Sequence, residues 1–220
     1  MSIFDDYTKR VKNTGDSIAN SLGNSTKTSI SQSFKDSPFY KEIIISLNGL
    51  EKEYGVRIVE TNNYLIRELL FLPDTKIKRG SIAEFNNYKW LVMDFNDNDL
   101  FAKARARQCN NSITLTSDLS ESAIIGYDEL NRPVYDDVES EEIIIPCICD
   151  TVIKNDDTER AINLPQEQTL VTIPYTEHED LNYDKELILY GSHFKIIGID
   201  DTESIDKVGL RRLTLERVAD

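Results

Sequence analysis

The chain has 220 residues, 40% of them hydrophobic, enough to bury a core in one large or two small domains and to exclude wholesale disorder. Its 25 Lys and Arg stand against 39 Asp and Glu, a formal charge of -14, which excludes a general cationic surface for wrapping phosphates. Apolar runs such as Ile143–Cys149 fall far short of the roughly 20 residues of a membrane helix, and Met1–Asp6 has neither the basic nor the apolar part of a secretory signal, so no membrane contact and synthesis in the cytoplasm are expected.

Residues 1–36 are rich in Ser, Thr, Asn and Asp. Ile3, Phe4, Tyr7, Val11, Ile18 and Leu22 recur at helical spacings and form one narrow stripe, interrupted near Gly15 and Gly23. The segment reads as an arm, helical or extended. A stripe this narrow needs a partner surface, either on the chain's own domain or on a neighbouring subunit.

From Phe39 onward short β runs alternate with turn residues, and the fold class is mainly β. Ile43–Leu47 ends at Asn48-Gly49, a strong hairpin dipeptide, and Tyr54–Glu60 ends at Thr61-Asn62-Asn63. Tyr64–Leu72 reads as a strand on its Tyr, Ile and Phe content, although Leu65, Leu69 and Leu72 also have helical spacing. Ile82–Phe85 and Tyr88–Phe95 flank Asn86-Asn87. Further strands are read at Ile113–Thr116, Ile143–Asp150, Thr169–Pro174, Glu186–Tyr190, Phe194–Asp200 and Leu210–Val218. Residues 117–142 and 154–168 read as polar, acidic excursions, the first with a short helix at its start. The organisation is therefore an arm at 1–36, a β module at 37–116, an acidic region with one apolar strand at 117–168, and a C-terminal β module at 169–220.

The two modules echo each other. Lys78–Asp94 and Asn182–Asp200 each hold a polar turn, an apolar strand, a two-residue reverse turn and an aromatic-led strand, with Trp90 and Phe194 in matching places. Gly191-Ser192 is read as the second reverse turn. Each run follows a strand ending in proline and precedes an apolar-polar strand, Ile113–Leu115 in one case and Leu213–Leu215 in the other. Two related small β-barrel-like modules are the economical reading, with the aromatic after each turn covering a barrel end.

Chemistry is sparse. The sequence has no phosphate loop, dinucleotide fingerprint, nucleophile elbow or zinc-protease helix. His178 and His193 have no Ser or Cys in a catalytic context, so no catalytic residue and no cofactor are assigned. Asp94–Asp99 imitates the start of a calcium loop, but Asp99 stands where glycine is needed and Arg105 where a bidentate carboxylate is needed. A polar hairpin or loop tip is the reading adopted. Cys109, Cys147 and Cys149 form no disulfide framework and lack zinc-ligand spacing, and Cys147 and Cys149 share one strand face, so they read as buried thiols acting as small hydrophobes. Lys103, Arg105 and Arg107 alternate with alanine and would make one strand face positive, a face that could meet DNA phosphate but that, on this acidic background, is better suited to carboxylates across an interface.

The charged turn before Gly80, Asn86-Asn87, Tyr88–Val92, the basic Lys103–Arg107 strand and Cys109-Asn110-Asn111 together resemble virion proteins of tailed bacteriophages of Gram-positive hosts. Phe194–Thr202 and Gly209–Leu215 are similar to the last strands of such neck proteins, and head-closure or head-tail joining proteins are the nearest class. The resemblance covers about residues 65–116 and 169–218. It implies a virion location, a homo-oligomeric ring, portal or adaptor and tail proteins as partners, and passage of double-stranded DNA without sequence-specific contact. The chain is longer than the simplest stoppers, which leaves a tail-completion or capsid-associated role open. The competing classes are an enzyme on a β-barrel scaffold and a monomeric binding module of the host.

On that reading the interface or channel residues are Ile3, Phe4, Tyr7 and Val11 on the arm, Arg79, Lys103, Arg105 and Arg107 toward neighbours, and Asp94, Asp97, Asp99, Asp136, Asp137, Glu139, Glu141 and Glu142 toward a channel. At -14 per chain, a ring on the order of a dozen copies would carry well over a hundred negative charges and repel a passing duplex. The alternative is that the acidity keeps the unassembled subunit soluble.

Overall fold

The structure, a computed structural model, describes residues 18–98, 102–117, 124–127, 130, 132–135, 141–154, 161–163 and 167–218. The chain divides into two units, Met1–Gln108 and Cys109–Asp220.

Among the described residues the first unit begins with a helix, α1 (Ile18–Phe34), followed by β1 (Tyr40–Leu47), β2 (Leu50–Glu60), β3 (Ile66–Phe71), β4 (Ile82–Phe85), β5 (Tyr88–Asn96) and β6 (Lys103–Gln108). The strands close into an antiparallel barrel in the order β1-β2-β3-β6-β5-β4. Period-two alternation sends Ile43, Ile45, Val56, Leu69, Phe71, Ala83, Phe85, Trp90, Val92, Ala104 and Ala106 into one core. The run Tyr64–Leu72 therefore holds a strand, Ile66–Phe71, and not a helix. Asn48-Gly49 and Asn86-Asn87 all have positive φ, as the tight two-residue turns require.

Helix α1 runs through Gly23, beside which there is open space, instead of breaking there. Its anchor is Phe34, which is buried, meets Tyr40 edge-on at 6.1 Å and lies 4.5 Å beneath the Arg57 guanidinium. Arg57 also donates from Nε to the Phe34 carbonyl at 2.9 Å and from Nη2 to the Ser33 carbonyl, satisfying carbonyls that a helix C-terminus leaves open. Lys27 reaches Asp74 at 2.6 Å. Leu22, by contrast, is 68% exposed. Ile3, Phe4, Tyr7 and Val11 lie outside the described residues.

The second unit contains β7 (Asn111–Ser117), β8 (Ile124–Tyr127), β9 (Pro133–Tyr135), β10 (Glu141–Asp150), β11 (Val152–Lys154), β12 (Ala161–Asn163), β13 (Gln168–Pro174), a 3-10 turn (Glu179–Leu181), β14 (Glu186–Leu189), β15 (Ser192–Asp200), β16 (Ser204–Ile205) and β17 (Val208–Arg217). Its main sheet has the order β14-β15-β17-β13-β10-β7, with β16 paired to β17, and it curls into a nearly closed barrel. The excursion expected at 117–142 holds the β8–β9 hairpin, and the one at 154–168 contributes β12, which pairs with β11.

The two sheets have one topology. Reading β7, β10, β13, β14, β15 and β17 as counterparts of β1 to β6 converts one strand order into the other. The registers agree as well. Ala83 pairs with Trp90 as Leu187 pairs with Phe194, and the β5–β6 ladder slips between Val92 and Asp94 where the β15–β17 ladder slips between Ile196 and Gly198. Outside the ladders, Gly80 N–H to Val92 carbonyl and Asp184 N–H to Ile196 carbonyl repeat at 2.9 and 3.0 Å. A shared bulge and shared loop bonds go beyond what any two hairpins have in common. Trp90 stacks on Phe85 at 4.8 Å near the β4–β5 turn, and its counterpart Phe194 packs against the second core.

Two details of the expected echo change. The strand matching Leu213–Leu215 is Lys103–Gln108, because Ala104 and Ala106 fill the inward places of Leu213 and Leu215; Ile113–Leu115 instead begins the second barrel. The second reverse turn is Tyr190-Gly191, both with positive φ, and Ser192 is already paired with Leu189.

Candidate functional site

Three polar constellations stand on this scaffold. The first is the outer face of the first barrel. Lys103 and Arg105 are exposed on β6 and Arg107 is half-buried, as the alternation with alanine requires. The register sets Arg105 between Glu68 of β3 and Asp94 of β5. Arg79 reaches Asp94 at 3.0 Å. The face is thus mixed in charge around Arg105, with a carboxylate of the same barrel on each side. Asp94 belongs to strand β5 and not to a loop tip, so the calcium-like spacing is a strand spacing; Asp97 follows the strand and is exposed.

Glu141 and Glu142 likewise form the start of β10, paired opposite Ser117 and Thr116, with Glu142 exposed. Asp99, Asp136, Asp137 and Glu139 lie outside the described residues. Among the described residues no group of three or more His, Cys, Asp or Glu is arranged to hold a metal ion. His178 Nδ1 accepts from the Asp180 backbone N–H at 3.2 Å and so caps the 3-10 turn, and His193 Nδ1 sits 3.6 Å from Glu186.

The second constellation is a clamp around Arg211. Its Nε and Nη2 donate to the two carboxylate oxygens of Asp201 at 2.7 and 2.8 Å, and its Nη1 donates to the Thr176 carbonyl at 2.7 Å. The guanidinium also lies 4.6 Å from the centre of the Tyr175 ring. Tyr175 donates to Glu177, which is in turn paired with Lys207 at 2.8 Å, and these two bonds hold the Glu177 carboxyl below its usual range. Gly209, at φ +141, lets the backbone of Glu203 and Ser204 approach so closely that a Cβ would lie 2.3 Å from the Glu203 carbonyl oxygen. The clamp ties the β15–β16 connection to β13 and β17. Sequence reasoning did not assign it, yet a signal existed: Arg211 has the strand parity of the inward Leu213 and Leu215, and an inward cation requires partners.

The third is a thiol pair. Cys147 and Cys149 sit where Val56 and Ile58 sit in the first barrel, with the same burial, so they fill core positions as small hydrophobes do. Their sulfurs are 3.7 Å apart. Asn110 grips Cys149 from both sides, its Nδ2 donating to the Cys149 carbonyl at 2.9 Å and its Oδ1 accepting from the Cys149 N–H at 2.8 Å. The shared hydrogen bond from Cys147, with further contributions from the Tyr190 hydroxyl and the Asn111 amide, holds the Cys149 thiol below its ordinary range against the opposing effect of burial. The same shared bond, and then burial, push the Cys147 thiol up.

Comparison with known proteins adds an independent constraint. Residues 112–216 match the YomX C-terminal domain family. That span begins one residue into β7 and ends one residue before the end of β17, so it frames the second barrel. Over 183 residues the chain is 27% identical to the SPbeta prophage-derived uncharacterized protein YomX of Bacillus subtilis (strain 168), covering 79% of this chain and 81% of that one. Among solved structures, the Bacillus subtilis inhibitor of motility (MotI/DgrA) aligns over 81% of this chain and 88% of its own at 8% identity, with a TM-score of 0.21. Likeness at that level carries no inference about fold or function.

Proposed function

We propose that this chain is a structural subunit of a tailed-phage particle, a neck component that joins the capsid portal to the tail as a homo-oligomeric ring and helps to retain or pass DNA without covalent catalysis. The observation that carries the reading is the similarity to a prophage-derived protein. At 183 aligned residues it is longer than either unit, so it reaches into both barrels. A phage-associated role follows from that relationship, and the neck assignment rests on the strand-pattern resemblance.

The architecture supports a scaffold role. Among the described residues, His178 serves as a cap, Arg211 and Asp201 as a clamp, and Arg105 lies in register with Glu68 and Asp94. Large apolar side chains stand exposed beside the turns, Leu50, Tyr88, Tyr190 and Ile205 among them, and Leu22 stands out from the helix; exposed apolar groups of this kind suit contact with further subunits. The charge of -14 suits a wall past which a duplex slides, because each cation on such a wall would be a counterion-exchange contact to break.

Sedimentation and native mass measurement of the full chain at micromolar concentration, alone and with a portal assembly, test the reading. A closed ring, or a stoichiometric complex on the portal, is expected. A chain that stays monomeric and ignores the portal overturns it.

A further inference from the structure

We propose that Cys147 and Cys149 are a two-electron modification site, a dithiol that a small peroxide converts into an intramolecular disulfide. The inference rests on the second barrel alone and stands apart from the assembly role.

The geometry brings the sulfurs together. Residues two apart on a strand share a face and are separated by about 6.6 Å between Cα atoms, at the upper end of what a disulfide spans. Here the two sulfurs are already in contact at 3.7 Å. The first barrel has Val56 and Ile58 in these places, so the shape of the core does not demand thiols.

The surroundings favour reaction at one sulfur. Cys147 is fully buried, whereas Cys149 retains 9% exposure at the barrel end that also carries Tyr190. Asn111 Nδ2 is buried and makes no ordinary hydrogen bond, and it adjoins Cys149 together with the Tyr190 hydroxyl. An unsatisfied donor beside a thiol stabilises the thiolate more than the neutral form, which is the condition for a nucleophilic cysteine. The counterparts of Asn111 and Tyr190 in the first barrel are Lys41 and Asn86, which spend their polar groups on each other at 2.8 Å. In the second barrel the equivalent groups converge on sulfur.

The chemistry balances with one equivalent of hydrogen peroxide. The Cys149 thiolate attacks one peroxide oxygen and the O–O bond breaks, giving a sulfenic acid and hydroxide, which takes up a proton as water. Cys147 then loses its thiol proton and its sulfur attacks the Cys149 sulfur, expelling the hydroxyl as a second water. The dithiol loses two electrons and two protons, and peroxide is reduced to two molecules of water. Because the strand spacing is long for the bond, the disulfide is strained and readily reduced.

The test is peroxide treatment of the full-length protein, followed by alkylation under denaturing conditions and peptide mass spectrometry. The expected product has lost two hydrogens, carries no alkyl group on Cys147 or Cys149 while Cys109 is alkylated, and regains both thiols with dithiothreitol. The same loss is expected in Cys109→Ser, and Tyr190→Phe slows its appearance severalfold. Alkylation of all three cysteines after treatment overturns the proposal, as does a disulfide that includes Cys109 or terminal oxidation of Cys149 with Cys147 still alkylated. Absence of the disulfide in Cys109→Ser is equally decisive.

Discussion

Arg211 and Asp201 are joined by two parallel hydrogen bonds of 2.7 and 2.8 Å, on a strand position whose parity is that of the buried Leu213 and Leu215. A cation turned toward the core is stable only because the fork, the Thr176 carbonyl and the Tyr175 ring satisfy it. Arg211→Lys keeps the charge but not the planar fork, and Asp201→Ala leaves the guanidinium short of its partner. Each is expected to destabilise the second barrel by about 2 kcal/mol, read as a lower urea midpoint with unchanged slope. An unchanged midpoint in both variants would remove the clamp from the account.

Two glycines give a ranked expectation. Alanine at Gly209 requires φ +141 and drives a methyl into the Glu203 and Ser204 backbone, whereas alanine at Gly55 meets the end of the Tyr40 side chain, which can swing away at the loss of its 3.1 Å bond to Glu42. Gly209→Ala should therefore cost well over about 1 kcal/mol and Gly55→Ala clearly less. Thermal melts of the two variants side by side check the order.

The barrel equivalence predicts how the thiol positions tolerate change. Cys147→Val installs the residue that Val56 provides in the first barrel and should leave stability within about 1 kcal/mol. Cys147→Ser buries a hydroxyl at a fully enclosed site and should cost about 1–3 kcal/mol. Denaturant titration of both variants distinguishes a hydrophobic position from one that needs a polar atom.

Acid should weaken the second unit. Hydrogen bonds from Lys207 and Tyr175 hold Glu177 below 4.5, and the backbone N–H of Thr202, with its hydroxyl, holds Asp200 below 3.8. A carboxylate with a depressed folded-state value stabilises the fold fully above its unfolded value and loses that contribution as pH falls through the lower folded one. Melting temperature should thus fall on acidification below about pH 4.5, and Glu177→Gln should flatten that dependence. A melting temperature independent of pH in that range in the unmodified protein would contradict this account of the Glu177 and Asp200 sites.

The strands were legible because inward and outward residues alternate and the turns carry Asn and Gly where φ is positive. The echo was legible at Trp90 and Phe194 because aromatics after turns are conspicuous. What escaped was the counterpart of the last strand, since Ala104 and Ala106 give a weak apolar signal between cations, and the true second turn, since Tyr190 is an uncommon residue at positive φ. The cations of β6 were found, but their carboxylate neighbours Glu68 and Asp94 come together only through register, which strand patterns do not reveal. The Arg211 clamp joins residues up to 35 positions apart, beyond the reach of local pattern.

The proposal that this chain builds part of a phage particle is tested most directly by mass spectrometry of density-purified particles released from cells that carry its gene. The account predicts peptides from both barrels at a copy number fixed relative to the portal protein. Their absence from intact particles, with the protein abundant in the same lysate, would contradict it.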